Sequence, residues 1–242
     1  MRILITGASR GIGAATARGL SGPGTDLLLH AHTHLSEARE LAAELAAAGT
    51  RSTVLAADLA REDEVDRLAA EVASGGPMLD AVVHNAGTYP RVSFESMSDA
   101  EFTECLAANL LGPARLTRRL LPLLRRASRG RIVFVSSVLA FTGSAHGAHY
   151  AAAKAGIVGL ARSLARELAP SITVNVVAPG AIDTAILGGD TPAQRAERSA
   201  RIPLGRVGTP EEVAAGIVYL LSPGASYITG TVLHVNGGAF LG

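Results

Sequence analysis

Short apolar runs alternate with longer helical patterns along nearly all of the 242 residues. Arg2–Thr6, Asp26–Ala31, Ser52–Ala57, Leu79–His84, Arg131–Ser137 and Ile172–Ala178 each read as a buried strand, and Thr231–Val235 as a seventh. Ala-rich helical patterns fall between them, at Gly13–Leu20, Ser36–Ala48, Glu62–Ala73, Asp99–Arg126, Tyr150–Ala169 and Pro210–Leu221. Strands that are apolar on both sides belong in a parallel sheet covered on both faces. The expectation is therefore a single-domain, doubly wound α/β fold over residues 1–242: seven parallel strands, helices on both faces, and a ligand site at the strands' carboxyl ends. The long irregular stretch is Pro179–Thr209, which holds Gly188-Gly189 and a short charged helix candidate, Pro192–Arg201. A loop of that length inside a compact domain is expected to act as a substrate lid.

The first strand runs into Thr6-Gly7-Ala8-Ser9-Arg10-Gly11-Ile12-Gly13, and a helix follows. Glycines let the backbone approach a pyrophosphate, and the helix behind them offers unpaired N–H groups with a partial positive charge. A Gly-rich turn alone is a weak signal. Its position after the first strand of a doubly wound pattern makes it a dinucleotide turn of a Rossmann-type sheet. Asp58, in Ala57-Asp58-Leu59 after the third strand, either accepts a hydrogen bond from an adenine amino group or caps the next helix. Asn85-Ala86-Gly87 follows the fourth strand, where small residues would let a ribose lie on the backbone.

The 22 basic residues comprise 21 arginines and one lysine, Lys154. Codon bias accounts for an arginine excess, and it leaves lysine where arginine fails. Lysine is a compact point charge with a movable pKa, whereas arginine is a wide fork that keeps its charge. Lys154 stands four residues after Tyr150 at the start of a helical pattern, on the same face. An ammonium beside a phenol favours the phenolate, so the pair would exchange a proton near neutral pH. Ser137, at the end of the fifth strand, can hydrogen-bond a carbonyl oxygen beside Tyr150. Asn109, in Ala108-Asn109-Leu110-Leu111-Gly112, suggests a helix bent to offer a carbonyl to a water; a hydrogen-bonded core asparagine is the other reading.

These residues carry a resemblance. Thr6-Gly7-x-x-x-Gly11-x-Gly13, Asn85-Ala86-Gly87, Asn109, Ser137, Tyr150-x-x-x-Lys154 and Pro179-Gly180 stand in the order found in the short-chain dehydrogenase/reductase family, over essentially the whole chain. Within it the sequence most resembles 3-oxoacyl-(acyl-carrier-protein) reductases, through Ser136-Ser137-Val138, Tyr150-Ala-Ala-Ala-Lys154-Ala-Gly156 and Ile172-Thr-Val-Asn-Val-Val-Ala-Pro179-Gly180. The resemblance implies that Tyr150 protonates a carbonyl oxygen while a nicotinamide delivers hydride to its carbon. Lys154 would bind the ribose hydroxyls and lower the Tyr150 pKa, Ser137 would orient the oxygen, and Asn109 would hold a water linking Lys154 to solvent. Pro179, Gly180, Ile182 and Thr184 would cradle the nicotinamide. It also implies a homotetramer, with the helices at Asp99–Arg126 and Tyr150–Ala169 paired across one two-fold axis and Val235-Asn236-Gly237-Gly238 at a second. Two departures bear on it. His84 stands where the family often has asparagine, and Ala169-Pro170-Ser171 lacks the arginine that relatives acting on carrier proteins place there. Arg125, Arg126 and Arg129 remain either as candidates for docking an acidic acyl carrier protein or as a solvated helix end, where cations are favoured.

The region after the second strand decides the cofactor. An NAD enzyme of this fold places Asp or Glu there to bond the ribose hydroxyls. Here Leu28-Leu29-His30-Ala31-His32-Thr33-His34 has no acid, while Arg10, His32 and Thr33 can bond a 2′-phosphate, so NADP(H) is expected. His30, His32 and His34 alternate, which is either a polar rim near the adenosine ribose or a metal site; no carboxylate or cysteine nearby completes the latter, and no metal is expected. His146 and His149 are substrate-contact candidates or exposed loop residues, and Tyr89 would line the mouth.

Net charge +1 supplies no field to hold nucleic acid or an anionic membrane, and no apolar stretch is long enough to span a bilayer. A lone Cys105 and a start without a signal-like run point to a cytoplasmic protein. The function expected is NADPH-dependent reduction of a carbonyl, most like that of a 3-oxoacyl thioester. An alcohol, sugar or ketone dehydrogenase of the same fold is the alternative, and a non-catalytic binding protein on the same scaffold is a third reading.

Overall fold

The computed structural model describes residues 1–187 and 191–242; the Gly188-Gly189 pair lies outside the described residues. Seven strands form one sheet: β1 (Arg2–Thr6), β2 (Asp26–Ala31), β3 (Arg51–Ala56), β4 (Ala81–His84), β5 (Gly130–Val135), β6 (Ile172–Pro179) and β7 (Val232–Val235). Their order is β3-β2-β1-β4-β5-β6-β7, and every neighbouring pair is parallel. The order reverses between β1 and β4, which opens a crevice at their carboxyl ends.

Side-chain alternation divides the core into two layers. On one face Leu4, Leu28, Val82, Ile132, Phe134 and Val176 pack against α3 (Glu62–Ser74), α5 (Gly112–Leu124) and α7 (Ala148–Glu167). On the other, Ile3, Ile5, Leu27, Leu29, Val133 and Val177 pack against α1 (Gly11–Gly19), α2 (Leu35–Ala47) and α9 (Pro210–Leu221). Each such side chain contributes about 1.5–3 kcal/mol when fully buried. Among the described residues no helix is long and apolar enough to cross a membrane.

The helix expected over Asp99–Arg126 is not continuous. It consists of α4 (Asp99–Leu106), a π turn at Ala107–Leu111, and α5. A π turn holds one extra residue, so it re-aims the side chains around it. Here Asn109 fills the gap itself: its Nδ2 donates to the carbonyl of Cys105, four residues back, at 3.0 Å.

After β5 come the short helix α6 (Leu139–Thr142) and then α7. The stretch after β6 contains α8 (Pro192–Ala200), the charged helix expected there. Its two stems are joined: Ile182 and Gly208 form a parallel bridge, Asp183 N–H donates to the Gly208 carbonyl at 2.9 Å, and Gly208 N–H donates to that of Ala181 at 2.9 Å.

Candidate active site

The turn after β1 is shaped by close approach. Gly7 and Gly11 take φ of 65° and 55°, the left-handed region. A Cβ on Gly13 would lie 2.1 Å from the Gly7 carbonyl oxygen. The N-terminus of α1, like those of α2, α3 and α7, has no side-chain cap. Its first N–H groups are therefore available to an anion. Arg10 is exposed at the helix start, and a Cβ on Gly11 would sit 3.3 Å from Thr184 Cγ2, so the stem after β6 reaches over the turn.

Asn85-Ala86-Gly87 braces this turn from β4. Asn85 Nδ2 donates to the Thr6 and Gly7 carbonyls at 3.0 and 2.9 Å, and Thr6 Oγ1 accepts from Asn85 and Ala86 N–H at 3.0 and 3.1 Å. Thr6 opens the family pattern, but no role is assigned to it from the sequence. His30 is a second brace and not a rim residue. Its ring is buried, Nδ1 accepts from Gly7 N–H at 3.3 Å, and Nε2 bonds the Ala57 carbonyl at 3.0 Å. Burial pushes its pKa down to about 4, so the ring is neutral and both nitrogens are engaged. The strand ends at Ala31, so the expected alternation on one face fails; His32 is exposed, and His34 begins α2 and pairs with Glu37. Among the described residues no three His, Cys, Asp or Glu side chains converge to hold a metal. Thr33 is also exposed beside His32.

Asp58 is not a helix cap. Arg61 occupies the cap position of α3, and Asp58 Oδ1 accepts from Ala60 N–H at 2.9 Å in a local turn. The Leu59 side chain is buried, and a Cβ on Gly112 would lie 2.2 Å from its carbonyl oxygen, so α5 packs closely on this turn.

The carboxyl ends of β1, β4, β5 and β6 open into a cleft of about 870 Å³. Ile12, Asn85, Gly87, Ser137, Tyr150, Lys154, Pro179, Gly180, Ile182 and Thr184 all line it. Ser137 lies two residues past the end of β5, where its Oγ accepts from Leu139 N–H at 3.1 Å. Ser136, which sequence reasoning missed, ties α7 to the sheet by donating to the Lys154 carbonyl at 2.8 Å. Lys154 is 4% exposed; Nζ donates to the Val135 carbonyl at 3.0 Å and stands 5.5 Å from the Tyr150 ring centroid. A Cβ on Gly87 would lie 2.5 Å from Asn109 Oδ1 and 3.3 Å from Lys154 Nζ, so the missing side chain brings the three together. Asn109 Nδ2 is spent on the Thr88 and Cys105 carbonyls, while its Oδ1 is buried without a donor.

The electrostatics depart from expectation. Burial pushes the Tyr150 phenol above its usual range, offset in part by a hydrogen bond with Ser137; the Lys154 charge does not bring it down. Burial instead brings the Lys154 ammonium down to about 8. Desolvation penalises the charged form of each, the phenolate of Tyr150 and the ammonium of Lys154. The histidines divide likewise. His146 is exposed on the cleft, but His149 is fully buried near Phe102 of α4, with both ring nitrogens unpartnered, and does not face it. Arg125, Arg126 and Arg129 precede β5 and so lie at the amino ends of the strands, opposite the cleft.

A family model described as "Enoyl-(Acyl carrier protein) reductase" matches residues 7–239. The chain belongs to the short-chain dehydrogenase/reductase family. It is 41% identical to a protein of Aggregatibacter actinomycetemcomitans named "3-oxoacyl-(acyl-carrier-protein) reductase FabG", over 98% of each chain. It is also 41% identical to "Nodulation protein G" of Rhizobium sp. (strain N33), over 98% of this chain and 96% of the relative. A solved structure described as a short-chain dehydrogenase/reductase, glucose/ribitol dehydrogenase, from Brucella melitensis superposes with a TM-score of 0.87 at 34% identity, covering 100% of this chain and 97% of that one. The chain is thus an oxidoreductase of a family that binds a nicotinamide cofactor. The uncapped α1 and the glycine cradle fit such a group.

Proposed function

We propose that this protein is an NADP(H)-dependent carbonyl reductase whose substrate resembles a 3-oxoacyl thioester. The observation that carries the reading is the convergence of Ser137, Tyr150 and Lys154 in one cleft with the Gly-rich turn. A bound nicotinamide supplies the hydride to the carbonyl carbon. Ser137 Oγ holds the carbonyl oxygen, and the Tyr150 hydroxyl gives it the proton as negative charge develops there. A phenol held in its protonated form is the correct state for a general acid in this direction. Lys154, with Nζ beside the phenol, passes a proton toward it, and Asn109 Oδ1 accepts from a water that refills Lys154. Pro179, Gly180, Ile182 and Thr184 support the nicotinamide end, and Asp58 and Leu59 the adenine end. Residues 179–209 act as the lid.

The choice of NADP(H) rests on the end of β2. The nearest acid in the chain beyond it is Glu37, whose carboxylate already accepts from Ser36 and bonds His34. Nothing there repels a 2′-phosphate, and Arg10, His32 and Thr33 offer donors.

One screen tests the reading: NADPH and NADH with acetoacetyl thioesters and simple ketones, and the oxidised cofactors with polyols. NADPH-dependent reduction of the thioester is the expected outcome. Exclusive oxidation of polyols would favour the second reading, a sugar or alcohol dehydrogenase, which the Brucella likeness supports. Cofactor binding with no turnover on any of them would favour a non-catalytic role.

A further inference from the structure

Tyr89, on the loop after β4, lines the cleft and packs against Tyr150. Its ring centroid is 4.6 Å from that of Tyr150, and its hydroxyl is 2.8 Å from Ser144 Oγ. Gly147 permits this, because a Cβ there would lie 2.5 Å from Tyr89 Cε2. The ring is therefore clamped on three sides. Over it, at 5.7 Å from the centroid, lies the Arg91 guanidinium. Arg91 is exposed, lines the cleft, and pairs with no carboxylate among the described residues. Val92 N–H donates to the His146 carbonyl at 3.2 Å, which fixes the Arg91 loop beside a second exposed donor that also lines the cleft. The acid on the lid side, Glu197, is already paired with Arg201.

We propose that Arg91, assisted by His146, holds an oxyanion borne by the substrate at the mouth of the cleft, one tyrosine ring outward from the reacting carbonyl. This rests on the carbonyl-reductase reading and names a substrate class for it. A guanidinium held over an aromatic face is partly ordered before binding, and its planar fork matches a carboxylate or a phosphate. The shared chemistry has two sources: a carboxylate ending the acyl chain, or a phosphate on a thioester handle.

The test compares wild type with Arg91→Ala and Arg91→Lys on four substrates. Ethyl acetoacetate and S-acetoacetyl-N-acetylcysteamine are neutral; monoethyl 3-oxohexanedioate carries a carboxylate; acetoacetyl-coenzyme A carries phosphates. Arg91→Ala is expected to raise KM roughly tenfold for the anionic source that is used, with kcat and both neutral KM values unchanged. Arg91→Lys recovers part of the loss, and His146→Ala has a smaller effect in the same sense. A shift confined to the third substrate identifies a carboxylate, and one confined to the fourth a phosphate. Equal effects on neutral and anionic substrates, or no effect on either, overturn the proposal. Should wild type reduce none of the four, the carbonyl-reductase reading fails separately. Calorimetric binding of glutarate and acetyl-coenzyme A then decides this one: binding weakened in Arg91→Ala upholds it, and binding that is absent or unaltered overturns it.

Discussion

At the scale of single residues, the site depends on side chains whose surroundings deny them their ordinary ionisation. Tyr150 is kept protonated and the Lys154 ammonium is brought down to about 8, both by burial. Tyr150→Phe removes only the exchangeable proton, so kcat is expected to fall at least about 100-fold while NADPH still binds, as read by turnover and cofactor titration. Arg10→Ala is expected to raise the KM for NADPH about tenfold and leave that for NADH nearly unchanged, the scale of one lost charged hydrogen bond. Two buried histidines make a pH prediction. Burial pushes His30 down to about 4 and His84 to about 3. Both stay neutral in the fold while the unfolded chain takes up protons below about pH 6.5. Stability therefore falls as pH drops from about 6.5, until about 4 for His30 and about 3 for His84. His84→Asn should shrink the loss between pH 7.5 and pH 5 by about 2 kcal/mol in denaturant titrations, and an unchanged slope would refute the assignment.

At the scale of elements, irregularities in otherwise regular structure place the chemistry. The π turn at Ala107–Leu111 brings Asn109 Oδ1 against Gly87, and the left-handed Gly7 and Gly11 turn the chain tightly from β1 into α1. The stretch carrying α8 is held at its base by the Ile182–Gly208 bridge and across by Arg195 to Asp183 at 2.8 Å. Both partners of that ion pair are about half exposed, so it adds at most about 1 kcal/mol of stability. Its role is to hold α8 over the cleft. Arg195→Ala should leave the thermal midpoint within about 3 °C of wild type but raise the substrate KM several-fold without changing that for NADPH. Matched KM values would show that α8 does not close on substrate.

At the scale of the molecule, the parallel sheet fixes which ends of the elements can meet. Every strand's carboxyl end faces the same way, so Ile12 at the start of α1, Asn85 just past β4, Val135 of β5 and Pro179 of β6 share one cleft although they lie far apart in sequence. The same geometry sends Arg125, Arg126 and Arg129 to the opposite end. The outward face of α7 carries exposed Ala152, Ala155 and Gly159, small enough for a second helix to lie close. A homotetramer is the expected state in solution, and a monomer at micromolar concentration in light scattering would overturn it.

Strand apolarity, helical periodicity and the order of the glycine, serine, tyrosine and lysine signals are local properties, and from them the sequence alone determined the seven strands and the doubly wound arrangement and named the residues proposed for the site. A period of two or of 3.6 is written into neighbouring residues and needs no knowledge of the rest of the chain. What depended on distant partners was decided by the tertiary structure. The alternating His30, His32 and His34 suggested one shared face, yet His30 is drawn inside because Gly7 and Ala57 supply partners from two other strand ends. His149, adjacent in sequence to Tyr150, turns into the core because successive helical residues point about 100° apart. The Lys154 charge was expected to govern Tyr150, but desolvation is set by everything packed around both groups, and no sequence spacing encodes it.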